Sequence, residues 1–74
     1  MAVSKDELVG AFSESIGEEK ATEIVEESAK DVGVGIQNQY EEEDAIQVLE
    51  YINDRDDVTS YVRISANSLM TRLR

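Results

Sequence analysis

Apolar residues recur every three or four positions over three stretches of the chain, which is the spacing of one face of an α-helix. The stretches predict helices at residues 5–16, 18–32 and 41–53. Their core-facing positions are predicted to be Leu8, Phe12 and Ile16, then Ala21, Ile24, Val25, Ser28 and Val32, and then Ala45, Leu49 and Ile52.

Residues at the ends of these stretches are typical of helix boundaries. Ser4 followed by Glu7 forms a capping-box pattern ahead of the first helix. Gly33 is placed to end the second helix in the left-handed conformation, with Val34 making the apolar contact of a Schellman ending. Tyr40 precedes the third helix and is expected to pack back onto its first turn.

The last stretch fits two patterns. As a helix over 58–73, its apolar positions follow helical spacing through more than four turns. As a strand over 58–64, apolar and polar residues alternate and several are β-branched. The length of the periodic set favours the helix, and no convincing partner strand is visible. The helical set is Val58, Tyr61, Val62, Ala66, Leu69, Met70 and Leu73.

These elements predict an all-α protein, a compact four-helix bundle that forms a single small domain over residues 1–74. Proline is absent, and three of the four glycines fall near predicted boundaries. The fourth, Gly10, lies inside the first helix, where it costs about 1 kcal/mol relative to alanine. We expect it to let another helix approach closely.

Charge divides the chain into two unequal parts. Residues 1–57 hold all 17 acidic residues and four of the seven basic ones, a net charge of −13, whereas residues 58–74 hold three arginines and no acid. The acidic, lysine-poor composition is similar to that of proteins from halophilic organisms, whose self-repulsion is screened in molar salt. The alternative is attraction to a basic partner, including mimicry of the charge of a nucleic acid.

Several kinds of chemistry are disfavoured by what the sequence lacks. Without cysteine there is no thiolate nucleophile, and without histidine the commonest general base and the commonest nitrogen ligand for zinc are missing. Asp54, Asp56 and Asp57 lack the glycine and the glutamate of a calcium-binding loop, so they are interpreted as a solvated turn. We expect no catalysis, no cofactor and no metal. No signal peptide and no apolar run of membrane-spanning length is visible, so a cytoplasmic protein is expected.

The arginines of the last helix suggest two roles. Arg63, Asn67 and Arg74 fall on one stripe of a helical wheel and are candidates for phosphate contacts in a nucleic-acid-associated regulator. The acidic body opposes that role. The simpler interpretation places Arg72 and Arg74 at the negative end of the helix, paired with glutamates of neighbouring helices.

Ile64 lies outside the predicted core stripe, and Tyr61 lies at the edge of that stripe. Together they suggest a small apolar patch through which a homodimer would gain burial. The predicted function is a non-catalytic protein–protein interaction module or small adaptor that acts through helix faces, on itself or on another protein. The predicted interaction surface is Tyr61, Arg63, Ile64, Asn67 and Arg74.

Overall fold

The computed structural model describes residues 2–74 and confirms the helical architecture. Each helix begins and ends within two residues of its predicted position. Residues 60–64 belong to the last helix, so the strand alternative for 58–64 is wrong. The elements in chain order are β1 (Ala2–Ser4), α1 (Lys5–Ile16), α2 (Glu18–Asp31), β2 (Gln39–Glu41), α3 (Glu42–Asp54) and α4 (Ser60–Leu73).

The predicted helix boundaries of α1 and α2 are confirmed by their hydrogen bonds. Ser4 Oγ accepts a bond from the Glu7 N–H at 3.1 Å and so caps the start of α1. After α2, Gly33 has a φ of 89°, and the Val34 N–H donates to the Ala29 carbonyl at 3.1 Å. The Gly33 N–H donates to the Lys30 carbonyl at 3.1 Å, which completes a Schellman motif.

The start of α4 is set by Thr59. Its hydroxyl accepts a bond from the Val62 N–H at 3.4 Å, while its own backbone is extended. The structure thus assigns the role of N-cap to Thr59. The helix therefore begins at Ser60, two residues later than its apolar pattern does.

A small antiparallel sheet, which the apolar pattern did not predict, joins β1 to β2. Val3 lies opposite Tyr40, and both side chains are buried. The Tyr40 hydroxyl accepts a bond from the Gln37 N–H and donates one to the Gly35 carbonyl, both at 3.1 Å. Tyr40 is thus buried in the core, and its hydroxyl also fixes the loop that precedes α3. The predicted contact with the first turn of α3 stays a prediction.

The core lies between two helical hairpins, α1 with α2 and α3 with α4, and the sheet covers one end of it. The predicted stripes of α1, α2 and α3 face this core. Tyr61, placed at the edge of the core stripe of α4, is instead 73% exposed. The buried apolar residues are Val3, Leu8, Val9, Phe12, Ala21, Val25, Ala29, Tyr40, Ala45, Val48, Leu49, Ile52, Val58, Val62, Ala66, Leu69 and Met70.

Gly10 does not allow a close helix approach, contrary to expectation. It is exposed on α1, and a Cβ atom built at this position would meet no atom within 4 Å. None of the helices formed by residues 2–74 has the length and the apolar character needed to cross a bilayer.

Candidate functional site

Two surfaces formed by residues 2–74 differ in the arrangement of their charged side chains. The first surface surrounds Arg55, which directly follows α3. Its guanidinium donates to Glu27 and to Ser28 of α2, at 3.0 and 3.1 Å. It also donates twice to the carboxylate of Asp57, at 2.8 and 2.7 Å. We call these residues, together with Arg63, the Arg55 junction.

The ion pairs and hydrogen bonds of the Arg55 junction connect α2 to the turn that leads to α4. The Arg55 side chain is only 12% exposed, whereas those of Glu27 and Asp57 are more than half exposed. Hydrogen bonding to Arg55 lowers the pKa of Asp57 below its ordinary value, and the pKa of Arg55 is raised in turn. The bond to Ser28 gives a partner to the fully buried serine hydroxyl.

Arg63 of α4 belongs to this junction. Its guanidinium donates to the Arg55 carbonyl at 2.6 Å, and the residue is half-buried. Arg55 is the C-cap that directly follows α3, so the cation of Arg63 lies at the negative end of the α3 dipole. The Arg63 guanidinium therefore already donates one of its hydrogen bonds within the molecule.

Beside the junction lies an open cleft of about 390 Å³. Within it the Tyr51 hydroxyl donates to Asp31 at 2.7 Å, a bond that raises the pKa of Tyr51 above its ordinary value. Asp54 and Asp56 also line the cleft, and both are exposed. Tyr51 is therefore protonated at neutral pH, and its hydroxyl acts as a hydrogen-bond donor to Asp31.

The second surface is the solvent-facing side of α4. Its two large apolar side chains are Tyr61 and Ile64, which are 73% and 61% exposed. They are three residues apart and therefore neighbours on the helix surface. We call the exposed residues within this helix the α4 outer face: Ser60, Tyr61, Ile64, Asn67, Ser68, Thr71 and Arg72.

The α4 outer face contains no acidic residue, unlike the exposed sides of the other three helices. α1, α2 and α3 each expose at least three acidic residues to solvent. On α4 the middle of the exposed side carries hydroxyl, amide and aliphatic groups, and Arg72 lies near one end. The acids beside this face, Glu50 and Asp54, belong to α3 and lie next to Asn67.

The structure places three residues of the predicted surface, Tyr61, Ile64 and Asn67, together on the α4 outer face. Arg74 lies just beyond α4, and its guanidinium contacts Glu50 of α3 at 3.5 Å, a pairing of the kind expected for the C-terminal arginines. Arg63 is turned toward the Arg55 junction. Arg72, which was not in the predicted set, lies on the face instead.

Sequence reasoning missed the Arg55 junction altogether. The run Asn53–Asp57 was interpreted as a charged turn, with no role for its single arginine. One available signal was Ser28 at a core position of α2, because a buried hydroxyl requires a hydrogen-bond partner. A carbonyl of the same helix can meet that requirement, as it does for Thr22, but at Ser28 the partner is Arg55.

Comparisons with protein-family models, curated proteins and solved structures found no match to this chain. The function must therefore be inferred from the chemistry of its own side chains. In the Arg55 junction these side chains bind one another. On the α4 outer face, apolar groups are left to solvent.

Proposed function

We propose that this chain is a non-catalytic protein–protein interaction module, a small cytoplasmic adaptor of a salt-adapted organism, which binds through the α4 outer face. One observation carries the proposal. Tyr61 and Ile64 lie side by side and mostly exposed on a helix whose opposite side is buried in the core. Burying such side chains against a partner is favourable by roughly 25 cal/mol per Å² of apolar surface removed from water.

The charge pattern adds support because it separates this helix from the rest of the surface. The chain carries a net charge of −10, and all of its acidic residues precede α4. Depletion of charge is typical of the central part of protein–protein interfaces, where aromatic residues and arginine are enriched. The α4 outer face combines Tyr61 and Arg72 in this way.

Binding of nucleic acid by the C-terminal arginines is less well supported. Arg63 donates to the Arg55 carbonyl, and Arg74 contacts Glu50. Only Arg72 is left as an exposed arginine for which no ion pair or side-chain hydrogen bond is found among residues 2–74. One such cation gives little affinity for phosphates next to a body that carries so many acids.

Site-specific photo-crosslinking tests the proposal. A photoreactive phenylalanine analogue replaces Ile64 in one variant and Ile36 in the other, and both are irradiated at molar salt in an extract of the source organism. Ile36 is the matched control, because it is 46% exposed but lies in the loop between α2 and β2. We expect adducts with protein from position 64 and few from position 36.

The adducts are analysed by mass spectrometry after treatment with nuclease. Equal yields of protein adducts from both positions, or none from position 64, would overturn the proposal. Adducts of position 64 that disappear with nuclease would favour the nucleic-acid alternative instead.

A further inference from the structure

We infer that the partner of the α4 outer face is a second copy of this chain, bound by antiparallel pairing of the two α4 helices around a twofold axis. This inference rests on the proposed function and names its partner. A second copy has a particular advantage for a protein with a net charge of −10. When two α4 outer faces meet, neither α4 helix brings a carboxylate to the contact, and the acids beside Asn67, Glu50 and Asp54, belong to α3. Contact with the exposed side of any other helix brings that helix's own acidic residues to the interface.

The positions of Tyr61 and Arg72 favour the antiparallel arrangement. They are eleven residues apart, which is about three turns of 3.6 residues, so both lie on the same edge of the face. A twofold axis perpendicular to both helices brings this edge of one copy against the same edge of the other and reverses the helix direction. Tyr61 of each copy then meets Arg72 of the other.

This reciprocal contact is chemically complementary. A guanidinium over the face of a tyrosine ring is attracted by the ring quadrupole, and the contact occurs twice in a symmetric dimer. Arg72 is exposed, and no ion pair holds it among residues 2–74. A parallel pairing would instead bring the opposite edges of the two faces together and separate Tyr61 from Arg72.

The middle of the α4 outer face suits close packing of two helices. Ile64 lies there, surrounded by the short side chains of Ser60, Ser68 and Thr71. Small residues let helix backbones approach, and the isoleucine supplies the apolar area.

The size and charge of the molecule set the expected affinity. α4 has 14 residues and is about 21 Å long. A standard interface buries about 800 Å² per partner, and the whole chain exposes 4539 Å². One helix face provides less than the standard area and each copy carries a net charge of −10, so we expect a weak and reversible dimer. Self-repulsion of the two acidic bodies makes the dimer stronger as salt increases.

Analytical ultracentrifugation of the full chain tests the inference over a range of concentrations, in dilute buffer and at molar salt. We expect a monomer–dimer equilibrium that shifts toward the dimer at high salt. Ile64→Asp should weaken association by roughly tenfold or more, as for a central interface residue, whereas the matched control Ile36→Asp should leave it unchanged. A wild-type chain that stays monomeric at the highest concentration and salt would overturn the inference.

A charge-exchange experiment tests the antiparallel contact at the lowest salt at which the wild type associates. Tyr61→Arg and Arg72→Glu are each expected to weaken the homodimer. An equimolar mixture of the two variants should associate again, because each substituted position then meets a complementary side chain. Lys30→Glu on α2 is the control for loss of a cation. Failure of the mixture to recover association would contradict the antiparallel pairing.

These outcomes separate the inference from the proposed function. A monomeric wild type whose position 64 crosslinks to other proteins would overturn the dimer and leave the interaction module standing. Absence of any protein adduct at position 64 would remove both.

Discussion

The Arg55 junction and the α4 outer face lie on the same small domain and use charged side chains in opposite ways. At the junction, Arg55 is nearly buried and bonds to Glu27, Ser28 and Asp57. On the α4 outer face, acids are absent and Ile64 is left in solvent. At the junction the charged groups bind one another within the fold, whereas the α4 outer face leaves apolar groups in solvent, and for this reason we propose that face as the binding surface. Substitutions should therefore change stability at the first and association at the second.

Among substitutions at the two surfaces, Arg55→Ala is expected to give the largest loss of stability. It removes the bonds between α2 and the turn before α4 and leaves the buried Ser28 hydroxyl without its partner. We expect the free energy of unfolding to fall by about 2–3 kcal/mol, measured by urea denaturation at molar salt.

Arg72→Ala is the control for that experiment, because it removes an exposed arginine from the α4 outer face. We expect it to change the free energy of unfolding by less than about 0.5 kcal/mol when the chain is monomeric. Equal effects of the two substitutions would erase the distinction between the surfaces.

Gly10→Ala gives a reference for a position that belongs to neither surface. Gly10 is exposed in α1 and has open space where a Cβ atom would lie. We expect the substitution to raise the free energy of unfolding by about 0.5–1 kcal/mol, because alanine loses less conformational entropy in a helix.

Gly33→Ala is its matched control. The φ of 89° at Gly33 strains any residue that carries a Cβ atom, so stability should fall. A loss of stability from Gly10→Ala would contradict the observation that α1 has open space for a side chain at this position.

Asp57→Asn tests the junction through pH. Because Arg55 lowers the folded-state pKa of Asp57, the contribution of its charge is fully present above the unfolded pKa, about 3.9 for an aspartate. It is lost as the pH falls through the folded-state pKa. We expect the wild type to be more stable than Asp57→Asn at neutral pH, and the difference to narrow below about pH 4.

The measurement is the difference in the free energy of unfolding between these two chains across that range. Asp56→Asn is the control, since Asp56 is exposed and Arg55 bonds to Asp57. A difference that stays constant with pH would show that the carboxylate of Asp57 does not act through its charge.

Ile64→Asp is expected to have the smallest effect on stability. At a concentration that keeps the chain monomeric, the free energy of unfolding should change by less than about 0.5 kcal/mol, because Ile64 projects into solvent. Val62→Asp, two residues earlier and fully buried, should prevent folding or severely destabilise it. Severe destabilisation by Ile64→Asp would mean that the Ile64 side chain stabilises the folded monomer.

The helices were predictable from sequence because their signals are local. The periodic apolar residues define each helix, and capping residues such as Ser4 and Gly33 define its ends through hydrogen bonds to residues a few positions away. The strands were not predictable because each has only three residues. They also lie far apart in the sequence, and they pair only where the folded core buries Val3 and Tyr40 side by side. A strand of this length is too short to show an alternating pattern.

The candidate surface was predictable in part. Phasing α4 as a helix placed Ile64 outside, which the structure confirms. The orientations of Arg63 and Arg55 were not predictable, because each depends on the meeting of α2, α3 and α4. Tyr61 fitted the helical spacing at the edge of the core stripe, but α4 is rotated so that its ring lies in solvent.

Nuclear magnetic resonance of the ¹⁵N-labelled chain at molar salt shows directly which surface of the chain takes part in association. Backbone amide shifts are compared between concentrated and dilute samples. We predict that the concentration-dependent shifts cluster on α4 at Ser60, Tyr61, Ile64, Ser68 and Thr71, and that residues around Arg55 and along the exposed side of α2 change little. Shifts confined to α2 or the Arg55 junction, or spectra that do not depend on concentration, would contradict association through the α4 outer face.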